Sequence, residues 1–119
     1  MIKYDFDYHP KFLKECEDLF KHCPNFKSDF ENFKDAINAN LDMFNHNLPK
    51  KFIRVSNRGY NIKLPLFKYR YFYCKNGDGS KLRFIFLLHR EQLLVYFTEV
   101  YHKNHKKDLD YKRVEVLFK

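Results

Sequence analysis

Apolar residues recur along this chain with two different periods, and the points where one period gives way to the other mark its elements. Residues 2–7 alternate, placing Ile2, Tyr4, Phe6 and Tyr8 on one side, which predicts a short strand. His9-Pro10 breaks the alternation, and Pro10 suits the first position of a helix. Phe12, Leu13, Cys16, Leu19, Phe20 and Cys23 then return at helical spacing as far as Pro24. A longer helix follows, with Phe26, Phe30, Phe33, Ile37, Leu41 and Phe44 on one stripe. It should end near residues 46–49, because the residue before a proline avoids the helical region. Both stripes are core faces and carry no assigned chemistry.

Residues 50–65 hold Lys50, Lys51, Arg54, Arg58, Gly59 and Pro65 without a long period. They predict a solvated connection with a short strand over 52–55. Three strands follow, over 66–75, 81–90 and 93–103. Asn76-Gly77-Asp78-Gly79 is a hairpin signal between the first two, and a tight turn at Glu91-Gln92 joins the last two. Residues 108–119 fit a short helix or an extended arm, and Asp108 as N-cap favours the helix. The sum is one α+β domain spanning residues 1–119. Its two helices pack on an antiparallel meander, and its N-terminal strand joins a sheet edge.

Counting by two sorts the strands into faces. Leu66, Lys68, Arg70, Phe72 and Cys74 oppose Phe67, Tyr69, Tyr71 and Tyr73. Lys81, Arg83, Ile85, Leu87 and His89 oppose Leu82, Phe84, Phe86 and Leu88. Val95, Phe97, Glu99, Tyr101 and Lys103 oppose Leu94, Tyr96, Thr98, Val100 and His102. In an ordinary meander Arg83 comes close to Glu99 and Tyr101, with Arg70 one strand away.

Charge changes the picture. The formal net charge of +8 is unevenly spread: residues 1–49 are net −3, residues 50–119 are net +11, and all six arginines lie in the second part. Segregated positive charge suggests a polyanionic partner. Three cysteines, Cys16, Cys23 and Cys74, form no Cys-x-x-Cys pair. If Cys16 and Cys23 share a helix they are roughly 10 Å apart along its axis, too far for a disulfide. Free buried thiols and a reducing compartment are therefore expected. No apolar run approaches the ~18 residues of a membrane helix. The first residues lack the apolar stretch of a signal peptide, so a cytoplasmic location is expected.

Arg, Lys, Glu and Tyr together are what RNA cleavage without a metal requires. Cations stabilise charge building on phosphate in the transition state. A carboxylate or imidazole takes the proton of the attacking 2′-hydroxyl, and tyrosine can stack a base or supply a proton. The plainer alternative is cross-strand ion pairing, with Glu99 held between Arg83 and Lys103. His102 and His105 lack a third ligand for a metal. His9, His22, His46 and His89 are taken as surface residues.

Leu66-Phe67-Lys68-Tyr69-Arg70, Gly79-Ser80-Lys81-Leu82-Arg83-Phe84-Ile85-Phe86 and Phe97-Thr98-Glu99-Val100-Tyr101-His102-Lys103 together resemble the RelE/ParE toxin superfamily. The charged stretch that follows, Asn104-His105-Lys106-Lys107-Asp108 to Arg113, is similar to the tail of one subgroup. The resemblance implies a RelE-like microbial ribonuclease-type fold. It also implies a type II toxin paired with a cognate antitoxin, which cuts messenger RNA on the ribosome without cofactor or metal. By position, Lys68, Arg70, Lys81 and Arg83 would bind and stabilise phosphate. Glu99, Tyr101, His102 and Lys103 would supply proton transfer or stacking, with Lys106 and Lys107 as further RNA contacts. The general base stays open between Glu99 and His102. A ParE-like gyrase inhibitor of the same fold, or a non-catalytic basic module binding RNA or protein, are the competing functions.

Overall fold

The computed structural model describes residues 1–19 and 21–118; Phe20, assigned above to the first helical stripe, lies outside them. The described residues form β1 (Asp5–Tyr8), α1 (Pro10–Asp18), α2 (Phe26–Met43), β2 (Phe52–Val55), β3 (Leu66–Tyr69), β4 (Leu82–His89), β5 (Leu94–His102) and α3 (Tyr111–Glu115). One sheet holds all five strands in the order β1-β5-β4-β3-β2, antiparallel except that β1 runs parallel to β5. The architecture is α+β, with the meander β3-β4-β5 at its centre and β1 on an edge, as the alternation anticipates.

Pro10 starts α1, and the Nδ1 of His9 caps it by accepting the Lys11 N–H at 3.0 Å. The helix ends at Asp18, before its apolar stripe does, yet Leu19 and Cys23 still reach the core from the turns beyond. α2 stops at Met43, earlier than the proline-based expectation, because Asn45 and His46 enter the left-handed region (φ 53° and 71°). Asn38 fastens α2 to β1, its side chain accepting the Tyr4 N–H at 2.8 Å and donating to the Tyr4 carbonyl at 3.3 Å.

The face of the sheet under the helices is an aromatic core. Phe12, Phe84, Phe86 and Phe97 are fully buried, and Phe30 meets Phe97 at 5.1 Å between ring centroids. Burying each such ring stabilises by roughly 1.5–3 kcal/mol, with about 0.5–1.5 kcal/mol more from a favourable ring pair. The opposite face carries a second cluster of Leu66, Ile85, Leu87 and Tyr101, covered by Leu109, Tyr111 and Val114 from the tail. Tyr60, Ile62 and Leu64 pack there too, so the connection over 50–65 is not the solvated loop its charge suggested. Tyr60 stacks on Tyr111 at 5.2 Å, and the Asn61 N–H donates to Glu115 at 2.9 Å.

Several sequence expectations are corrected. The strand foreseen over 66–75 ends at Tyr69. Beyond it Phe72 and Cys74 join the helix-side core with Phe67 and Tyr69, not the side of Lys68. Cys74 is disulfide-bonded to Cys23 across 51 positions, so the expected free thiols reduce to Cys16 alone. The unpaired-cysteine argument for a reducing compartment falls with them. The Asn76-Gly77-Asp78-Gly79 signal lies in a longer link whose end is a 3-10 turn, Gly79–Lys81. α3 is capped by Asp110, whose carboxylate accepts the Arg113 N–H at 3.1 Å, and not by Asp108.

The face assignment of the last strand also changes. Ile85 pairs with Glu99 but Phe86 pairs with Phe97, which leaves Thr98 as an extra residue in β5. Val95 and Phe97 therefore face the helices, whereas Tyr101 faces away from them and Val100 takes the helix side.

Candidate functional site

Antiparallel pairing brings the end of β3, the start of β4 and the end of β5 to one end of the sheet. Tyr69 lies opposite Phe84, Arg83 opposite Tyr101, and Leu82 opposite His102. Lys68 and Arg70 thus arrive from one strand end, Lys81 and Arg83 from the next, and Tyr101, His102 and Lys103 from the third. The closeness of Arg83 and Tyr101 expected from the meander is present. Glu99 sits further in, opposite Ile85.

On the face away from α1 and α2 lies a hollow of about 280 Å³, lined in part by Arg58, Lys68, Arg70, Asp108 and Tyr111. Asp108 pairs with Arg58 at 3.4 Å and Lys68 at 3.9 Å, and Arg58 sits 5.8 Å above the Tyr111 ring. With Arg54, four cations share the hollow with one carboxylate, which leaves positive charge to attract a phosphate. Arg58, Asp108 and Tyr111 were not singled out for this place by the sequence reading. The alternation of acid, aromatic and base in the tail was the available signal.

A larger hollow, about 650 Å³, opens beside β5 beyond the end of β1. His22, His102 and His105 line it from two segments, with ring centroids 5.2 Å apart for His22 and His102 and 4.8 Å for His102 and His105. The Asn104 N–H donates to His102 Nδ1 at 3.1 Å, so the neutral ring carries its proton on Nε2. Lost solvation, then the neighbouring His105 and His22 rings, hold the His102 pKa below its ordinary value. No group of three His, Cys, Asp or Glu among the described residues is placed to hold a metal ion.

Other candidates are engaged within the fold. Glu99 is 1% exposed. One oxygen takes the Lys106 ammonium and the other accepts the Asp110 N–H at 2.7 Å. The foreseen Arg83–Glu99–Lys103 arrangement is therefore replaced by a Glu99–Lys106 pair. Arg83 turns back on the chain, donating to the Ser80 carbonyl at 2.7 Å and the Leu82 carbonyl at 3.1 Å. Lys81 lies 4.0 Å from Asp78, and Lys103 and Lys107 are both exposed. Burial, reinforced by the charges of Asp108 and Glu99, pushes the Tyr101 hydroxyl up to about 12. It keeps its proton at neutral pH.

Sequence reasoning also missed Arg113. Its guanidinium meets both oxygens of Glu15 at 2.9 Å and donates to the Thr98 carbonyl at 2.8 Å. Glu15 accepts the Val100 N–H at 3.3 Å as well. β1 stops opposite Phe97, and these two side chains serve the backbone groups of β5 that follow. Comparison with known proteins adds no assignment: no family model matches the chain, and no curated relative does either.

Proposed function

We propose that this chain is a toxin of the RelE/ParE type that cuts messenger RNA by attack of a 2′-hydroxyl on the adjacent phosphate. The observation that carries the reading is the arrival of Lys68, Arg70, Lys81, Arg83, Tyr101 and His102 from three strand ends at one end of the sheet, with Lys68 and Arg70 in the hollow facing away from the helices and Tyr101 and His102 in the hollow beside β5. The sequence resemblance supports it at the same positions. Lys68, Arg70 and Arg83 stabilise the charge that builds on the phosphate. Tyr101, protonated at neutral pH, donates a hydrogen bond. His102 is the group available for proton exchange, and it becomes a base once Nδ1 leaves the Asn104 N–H. Glu99 has both oxygens occupied, so the base role passes to His102. A cognate antitoxin that covers the basic surface, and the ribosome as the place of cutting, belong to the same proposal.

Cell-free translation with 5′-end mapping of the message tests it. Ribosome-dependent cuts that disappear with Arg83→Ala support the reading, and intact message with normal translation refutes it.

A second reading, a non-catalytic basic module, is favoured by the inward engagement of Arg83 and Glu99. RNA binding with no cutting at any protein concentration would select it. Loss of supercoiling by gyrase in the presence of the chain would instead select a ParE-like inhibitor.

A further inference from the structure

Residues 70–75 leave the sheet after β3 and are anchored at almost every second position. Phe72 is buried among Phe26, Phe33 and Phe84, its ring 4.5 Å from that of Phe84. Cys74 is buried and joined to Cys23. The Lys75 N–H donates to Asp29 at 2.8 Å, and its carbonyl accepts from the Asn25 amide at 3.2 Å. A Cβ on Gly79 would come within 2.0 Å of the Phe72 carbonyl oxygen, so the following turn is seated directly on this run.

Between those anchors two large side chains face solvent. Tyr71 is 64% exposed and Tyr73 is 71% exposed. Their Cα atoms are roughly 6.6 Å apart if the run is extended. They border a narrow slot of about 160 Å³ against α2, with Phe33, Tyr69 and Asn32 among its other walls. Arg70 and Lys75 flank the pair and are exposed. Arg70 also belongs to the basic end of the sheet, so positive charge runs from that end to the tyrosines without a gap.

We infer that Tyr71 and Tyr73 are a stacking platform for two consecutive bases of a single RNA strand, with Arg70 and Lys75 taking its phosphates. This rests on the RNA reading above and names where the strand lies outside the reacting position. Aromatic faces accept any base, and a fixed backbone lowers the ordering cost of binding. The flanking cations and the continuity with the basic sheet end select a polyanion carrying flat rings over an apolar protein surface.

Fluorescence anisotropy with the full chain provides the test. One probe is a labelled oligouridine of about eight nucleotides; the other is an abasic strand of equal length. Tyr71→Ala and Tyr73→Ala are each expected to weaken oligouridine binding about fivefold or more. Tyr71→Phe and Tyr73→Phe should bind as the unaltered chain does, and abasic-strand binding should not change in any variant. Both side chains are exposed, so melting temperatures should stay the same and certify the fold. If the alanine variants bind oligouridine undiminished, or lose abasic binding equally, the platform is refuted while the RNA reading stands. If the unaltered chain binds neither strand, the platform and RNA recognition by the free chain fall together.

Discussion

Glu15 and Arg113, 98 positions apart, join through two hydrogen bonds of 2.9 Å on the flank of β5 that β1 leaves uncovered. The arginine side chain is 8% exposed and the carboxylate 26%. The pair ties α1 to α3, and the same groups satisfy Thr98 and Val100 of the strand between them.

Arg113→Ala should therefore lower unfolding stability by about 3 kcal/mol, since it leaves Glu15 partly buried without its counter-charge. Arg113→Lys should recover only part, because an ammonium cannot make the forked contact. Urea unfolding of the three proteins checks this. Equal midpoints would mean the pair contributes nothing net.

Opening the Cys23–Cys74 link, by reductant or by Cys74→Ala, should cost on the order of 2–4 kcal/mol for a closed loop of this size. Thermal melts with and without reductant measure it, with the Cys74→Ala variant insensitive to reductant. Reductant should also increase hydrogen exchange at residues 70–75 before it does so in β4.

Cys16 is buried, and burial followed by the charges of Glu15 and Glu17 pushes its thiol up to about 12. Its folded pKa lies above the unfolded value, so the folded state holds the proton more tightly. The contribution is whole below about pH 9 and is lost as pH rises toward about 12. Tyr101 acts in the same direction from its ordinary value near 10. Melting temperature should fall across that alkaline range, less steeply in Cys16→Ala once its own baseline is subtracted. Alkylation of Cys16 at pH 8 should require unfolding.

Glu99→Gln separates architecture from chemistry. The amide can still accept the Asp110 N–H but no longer neutralises Lys106. A stability loss of about 1–3 kcal/mol is expected, with message cutting per folded molecule retained. If cutting vanished while the melting temperature held, Glu99 would be the base and the assignment to His102 would fail.

Most positions of the helical stripes (Leu13 and Phe44, assigned to the core, are exposed), the edge position of the N-terminal strand and the meeting of Arg83 with Tyr101 were legible, because each depends on local period or on neighbouring strands. What escaped depends on distant partners. Nothing near Cys74 signals Cys23, and nothing near Arg113 signals Glu15. The apolar residues Tyr60, Ile62 and Leu64 sit among enough charge to look solvated, yet the second face of the sheet needs a cover. The departure of the chain from the sheet after Tyr69 was hidden because residues 66–75 continue to alternate in composition.

Thr98 has the widest effect of any single position in β5. Because of it, the strand is two half-strands joined out of step: odd-numbered residues look toward the helices before it and even-numbered ones after it. Were the strand regular with all its residues kept, Phe97 and Glu99 would share one face. Either Glu99 would then swing its carboxylate into the phenylalanine layer, or Phe97 would leave that layer for the charged side. The frame of the strand, more than any one functional group, decides which side chains the basic end of the sheet presents.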